Sequence, residues 1–198
     1  VAGGRNVFPE QAVTIVPGDL PQTPGMVVHH AVGYDFLIRL LTLGRERAFR
    51  ERLLAPARLK AGESVLDVGC GTGSLALVAR RMVGPRGEVH GVDPSPEMIA
   101  RANHKARKAR LVIQFKTGVA ESLDYPDGRF DVVLSTVMLH HLPKSIRQQA
   151  VREMRRVLKP NGRLVAVDFV RSPGPDRGLR AHFHRHGRVD PRDLEALI

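Results

Sequence analysis

Residues 65–73 read VLDVGCGTG, and no other stretch constrains the fold as much. The run Val65–Val68 suits a buried strand. It passes into glycines at every second position, Gly69, Gly71 and Gly73, and an apolar helical pattern, GSLALVARRMVG (73–84), starts at the last of them. A strand that crosses a glycine-rich turn into a helix opens a βαβ unit. Such a turn lets a ligand approach bare backbone, and the helix behind it presents its first N–H groups to that ligand.

The alternation continues downstream. EVHGVD (88–93) reads as a strand, and SPEMIARANHKARKA (95–109) as a helix with Ser95 at its N-cap and Pro96 at its first position. LVIQFKTG (111–118) and FDVVLSTV (130–137) read as strands. KSIRQQAVREMRRVLK (144–159) reads as a helix with Ile146, Ala150, Met154 and Val157 on one face, stopped by KPNG, and RLVAVDF (163–169) as a fifth strand. Strands separated by helices predict an α/β fold, a doubly wound and mostly parallel sheet. Upstream, 30–43 and 45–58 carry helical patterns, with Leu37, Leu40 and Leu41 on the first and Phe49, Leu53 and Leu54 on the second. Residues 1–25, rich in Gly and Pro, read as a mobile arm ahead of a single domain over 26–198, and Met26 reads as the natural start.

Two ligand classes suit the glycine turn, a dinucleotide or S-adenosylmethionine. The dinucleotide pattern G-x-G-x-x-G, read from Gly69, needs glycine at 74, where the chain has Ser74. Asp67, in the approach to the turn, would repel a pyrophosphate but suits a ligand with an ammonium group. Asp93, at the end of the second strand, can accept hydrogen bonds from ribose hydroxyls in either case.

Four segments, VLDVGCGTG, GVDPSPEMIARA, GVAESLDYPDGRFDVVLSTVMLHHL and EMRRVLKPNGRLVAVDF, together resemble the class I S-adenosylmethionine-dependent methyltransferases over about residues 60–170. HHAVGYDFLIRLLTLGRERAFRERLL is loosely similar to the entry helices of the UbiE-like quinone-biosynthesis C-methyltransferases. The resemblance implies a Rossmann-like methyltransferase fold with strand order 3-2-1-4-5 and S-adenosyl-L-methionine as cofactor. It implies that Asp67, Gly69, Gly71 and Gly73 surround the methionine part, with Cys70 as a small packing residue in the turn. Asp93 would hold the ribose, Pro94 and Met98 flank the adenine, Thr136 complete the set, and Tyr34 close over the cofactor. The family's third-strand motif reads Gly-Asp-Ala-Glu, its aspartate contacting the adenine amino group. Here it reads GVAE, with Val119 in the acid's place, Ala120 offering its backbone N–H and Glu121 orienting the loop. His140 and His141, after the fourth strand, are candidates for a general base. No metal site is expected, and HFHRH (182–186) reads as a solvated loop.

The formal charge is +11 with a pI near 10.9, which suits an anionic membrane surface or RNA, although basic residues spread along a chain also simply solvate helices. The single cysteine excludes an internal disulfide and points to a cytoplasmic location. The leading functional reading is methyl transfer to a small-molecule acceptor, such as a quinol-like ring. The alternatives are an RNA methyltransferase and a catalytically silent cofactor-binding protein. STVMLHHL after strand four lacks the Asn/Asp-Pro-Pro-aromatic motif of enzymes that methylate base amino groups. The family fold continues after strand five with a helix and two more strands. Only DPRDLEALI (190–198), with Asp190 as cap, resembles that helix, so the expectation is a shortened chain with strand five at an edge, open to cover by the arm or by a homodimer partner.

Overall fold

A strand buried on both faces needs an almost unbroken apolar run, and residues 64–68 supply one. The structure, a computed structural model, describes residues 46–168. In order, these form α1 (Glu46–Leu54), a 3-10 turn (Ala55–Ala57), β1 (Ser64–Val68), α2 (Ser74–Val83), β2 (Glu88–Asp93), α3 (Pro96–Lys108), β3 (Gln114–Thr117), β4 (Phe130–Thr136), a second 3-10 turn (Leu139–His141), α4 (Lys144–Arg156) and β5 (Leu158–Val167). The sheet order is β3-β2-β1-β4-β5 and every pairing is parallel, as the sequence predicted.

β1 lies at the centre and all five of its residues are buried. Its side chains alternate between two cores. Val65 joins Leu54, Leu75, Ala79, Val89 and Val132 under α1–α3. Leu66 and Val68 join Val92, Phe130, Val133, Ala150 and Met154 under α4. Asp67, two residues from Val65, therefore points to the α1–α2 side.

Several boundaries differ from the sequence expectation. The helix expected over 45–58 ends at Leu54 and continues only as a 3-10 turn, because Pro56 has no N–H and its ring crowds the preceding turn. The helix expected over 144–159 stops at Arg156. The Val157 carbonyl is taken by the N–H groups of Arg129 and Phe130, and Pro160 disfavours helix at the residue before it. β5 starts earlier than expected: Leu158 already pairs with Phe130, and the register shifts before Arg163 pairs with Val132. The KPNG segment is thus a bulge within β5, the outermost strand of the sheet among the described residues, where proline is tolerated. β3 is shorter than expected, since Leu111 is tied back to α3 through its N–H to the Ala106 carbonyl. The expected arm, the helix over 30–43, Tyr34, Phe169, HFHRH and DPRDLEALI lie outside the described residues.

Candidate functional site

The carboxyl ends of β1–β4 surround a cleft, where a doubly wound sheet binds its ligands. The turn after β1 forms its floor. Gly69 and Cys70 both donate their N–H to the Val92 carbonyl, at 2.8 and 3.0 Å, which ties the turn to β2. Gly71 lines the cleft in the left-handed region, and a Cβ there would meet nothing within 4 Å, so its open face is the cleft itself. Gly69 also lines the cleft, backed by Met138. Gly73 does not line it. Its φ is +72°, it caps α2, and a Cβ would sit 2.6 Å from Phe115 Cζ and 2.8 Å from Ala102 Cβ. The third glycine therefore serves the turn and helix packing.

Asp93 ends β2 with both oxygens engaged: Oδ2 accepts from Gly71 N–H and Oδ1 from Ser95 N–H, each at 2.9 Å. Burial raises its carboxyl above the usual range while those two N–H groups hold it down. Asp67 is more extreme. It is 1% exposed, and burial pushes its carboxyl up to about 7, against the opposing charge of Arg50 and with the added repulsion of Asp93. Its Oδ2 is enclosed with no hydrogen-bond partner among the described residues. Arg50, itself buried, enters the cleft from α1. Local sequence spacing carries no sign of this approach, because it depends on α1 folding over the turn.

Cys70 is buried, and its thiol is pushed well up by burial and by the Asp67 and Asp93 carboxylates. It is a packing thiol rather than a nucleophile. Pro94, Met98, Val119 and Ala120 line the β2–β3 side of the cleft. Ser95 caps α3 through Met98 N–H, at 3.3 Å. An isolated bridge between Val119 and Ser122 folds the loop after β3 into a tight turn. Glu121, on that turn, also lines the cleft, and its Oε2 is enclosed without a partner among the described residues.

The opposite rim follows β4. Thr136 and Val137 line it, and Val137 has φ +54°. That is a strained conformation for a β-branched residue, of the kind that collects at functional sites. The two histidines part company. His141 lines the cleft with Leu142, while His140 is held by Asp168, Nδ1 to Oδ1 at 2.7 Å and backbone N–H to Oδ2 at 3.2 Å. A carboxylate only accepts, so His140 Nδ1 carries the proton. The two rings lie against each other with centroids 3.9 Å apart and planes tilted by 40°. Arg147, buried in α4, donates to the Leu139 and Leu142 carbonyls and fixes the turn that carries both histidines.

A family model described as a methyltransferase domain matches residues 65–162. A SAM-dependent methyltransferase from Aquifex aeolicus superposes with a TM-score of 0.62 at 26% identity, covering 75% of this chain and 76% of that one. The demethylmenaquinone methyltransferase of Thermus thermophilus is 38% identical over 154 residues, 77% of this chain and 69% of that protein. The chain belongs to the S-adenosylmethionine-dependent methyltransferases. A second relative of this methyltransferase, the 27-O-demethylrifamycin SV methyltransferase of Amycolatopsis mediterranei, is 39% identical over 137 residues, 68% of this chain and 48% of that protein. The methyltransferase spans only about half to two thirds of the length of several other curated relatives that it matches.

Proposed function

We propose that this methyltransferase moves a methyl group from S-adenosylmethionine to a small-molecule acceptor, with a reduced quinone-type ring as the favoured class. The observation that carries the cofactor half is the enclosed, unsatisfied Oδ2 of Asp67 beside the buried Arg50. The methionine end of the cofactor is a zwitterion. A buried carboxylate for its ammonium and a guanidinium for its carboxylate match it in sign and in hydrogen-bonding capacity. A pyrophosphate would meet repulsion at Asp67. In this reading Gly69 and Gly71 admit the methionine chain, Asp93 accepts from the ribose hydroxyls, and Pro94 and Met98 flank the adenine. Ala120 offers its N–H to the ring, and Thr136 and Tyr34 complete the enclosure.

The bound cofactor supplies an electrophilic methyl on a sulfonium, and its in-line transfer leaves a neutral thioether. The chain's part is to hold the acceptor in line and to exclude water, which can supply much of the acceleration. Leu142, Met138 and Leu53 give the cleft an apolar wall suited to a ring. The acceptor also loses a proton. His141, on the rim, is placed in this reading as the base that takes it from an acceptor hydroxyl, which pushes charge onto the ring carbon or oxygen to be methylated. His140, fixed by Asp168, holds the adjacent ring in position. The names of two relatives, a demethylmenaquinone and a demethylrifamycin methyltransferase, support a ring-bearing acceptor. The formal charge of +11 suits a cytoplasmic protein working against an anionic membrane surface that carries a lipid-like acceptor.

The test is incubation with methyl-labelled S-adenosylmethionine and a detergent-dispersed demethylnaphthoquinol, followed by mass spectrometry. Label in the quinol is the expected outcome, and label confined to RNA would refute the small-molecule reading. His141→Gln should lower turnover by about 10²-fold or more while leaving S-adenosylhomocysteine affinity unchanged. Full turnover in both His140→Gln and His141→Gln would remove imidazole from the mechanism.

A further inference from the structure

Resting on that cofactor reading, we infer that Glu121 reads the adenine ring by accepting a hydrogen bond from its 6-amino group. The resemblance assigns this contact to an acid at the place that Val119 holds. Val119 is apolar and 9% exposed, and it has no side-chain acceptor to offer. The bridge between Val119 and Ser122, with Ser122 N–H donating to the Val119 carbonyl at 3.4 Å, doubles the chain back. Glu121 is thereby kept on the cleft wall that Pro94, Met98 and Ala120 share.

Its Oε2 is enclosed with no partner among the described residues. A carboxylate oxygen withdrawn from water without a donor is costly, and the donors of the same loop and of the helix behind it that the structure records bond elsewhere. Gln149 Nε2 donates to the Glu121 carbonyl at 3.1 Å. Lys116 Nζ donates to Asp124, and Leu123 N–H to Glu153 Oε2. We assign the missing donor to the ligand, since a carboxylate oxygen in that position is an acceptor. On the adenine side of the cleft, the ring's 6-amino group is that donor. Hypoxanthine carries a carbonyl at the same position and would meet the carboxylate oxygen with another acceptor.

The test compares S-adenosylhomocysteine with S-inosylhomocysteine by titration calorimetry. The wild-type protein should prefer the adenosyl ligand by about tenfold or more, since a site built to pair a polar group rejects the analogue that leaves it unpaired. Glu121→Gln, whose amide can accept or donate, should bring the two affinities within about threefold, chiefly by weakening the adenosyl ligand. Adding Val119→Asp to Glu121→Gln should restore the preference. Equal binding of the two ligands by the wild-type protein overturns the assignment without any variant having to fold, and so does a preference that Glu121→Gln leaves intact. In both cases binding of S-adenosylhomocysteine leaves the cofactor reading standing. A wild-type protein that binds neither ligand overturns the cofactor reading and this assignment together.

Discussion

Asp67→Asn probes the site where its electrostatics depart furthest from the ordinary. Burial lifts the Asp67 carboxyl from 3.8 to about 7 in the folded protein, whereas in the unfolded chain it titrates near 3.9. Between those values the folded state holds a proton that the unfolded state has released. The associated stability is complete below about pH 4 and is lost as pH rises through about 7. A displacement of about three units corresponds to about 4 kcal/mol at pH 8. Asparagine keeps the shape and has no proton to lose. The ligand-free Asn variant should therefore be more stable than wild type at about pH 8, by up to that amount, and little different at about pH 4. Ligand binding runs the other way. An ammonium partner needs the carboxylate, so wild-type affinity for S-adenosylhomocysteine should fall by about tenfold per unit below pH 7, with proton release on binding. In Asp67→Asn that slope should vanish, and affinity at about pH 8 should drop by about 1.5–3 kcal/mol. Asp93, also raised by burial, remains in the variant and accounts for any residual slope at lower pH. Urea unfolding across the pH range gives the first quantity, and calorimetry in two buffers of different ionisation enthalpy gives the second. Wild-type affinity that stays flat through pH 7 with no proton release would refute the reasoning.

Two further substitutions test neighbouring steps. Arg50→Met removes the charge that holds Asp67 down, so the pH midpoint for S-adenosylhomocysteine binding should move above about 7 as affinity falls; an unmoved midpoint in the same titration would separate Arg50 from Asp67. Gly73→Ala forces a side chain onto Phe115 and Ala102 at φ +72° and should cost about 2–3 kcal/mol in urea unfolding. A loss under about 0.5 kcal/mol would show that the turn relaxes freely.

The sheet was legible because its strands are short apolar runs set between helical periods, and because the resemblance supplied the strand order. Residue types were legible where backbone demands them, and their reasons were not. Gly71 and Gly73 look equivalent in GCGTG, yet one opens onto the cleft and the other closes against Phe115. KPNG reads as the stop of α4 and as a break, whereas α4 already ends at Arg156 and pairing resumes at Leu158, since an outer strand of the described sheet can absorb a proline as a bulge. His140 and His141 are indistinguishable as letters. Asp168, brought alongside at the end of β5, claims the first and leaves the second on the cleft rim. Arg50 carries no local signal, because its interaction with Asp67 is purely tertiary.

These misses have a common cause, and it bears on the acceptor. In the proposed reading the cofactor half of the cleft sits on the ends of β1 and β2 and on the turn between β1 and α2, where strand register fixes position and the motif is local. In the same reading the acceptor half is built from the segment after β4, held by Arg147 and Asp168 from distant elements, and from Leu53 of α1. Positions of that kind are set by packing rather than by local pattern, and loops are where function varies on a fixed scaffold. The relatives show the same division. Two proteins at 38% and 39% identity carry names with different acceptors, a demethylmenaquinone and a demethylrifamycin. Overall identity therefore does not rank the acceptors. The residues that can do so line the rim: Val137 in its strained turn, His141, and the apolar wall of Leu53, Met138 and Leu142. Exchanging those side chains should change the acceptor while leaving S-adenosylhomocysteine affinity where Asp67, Arg50 and Asp93 set it.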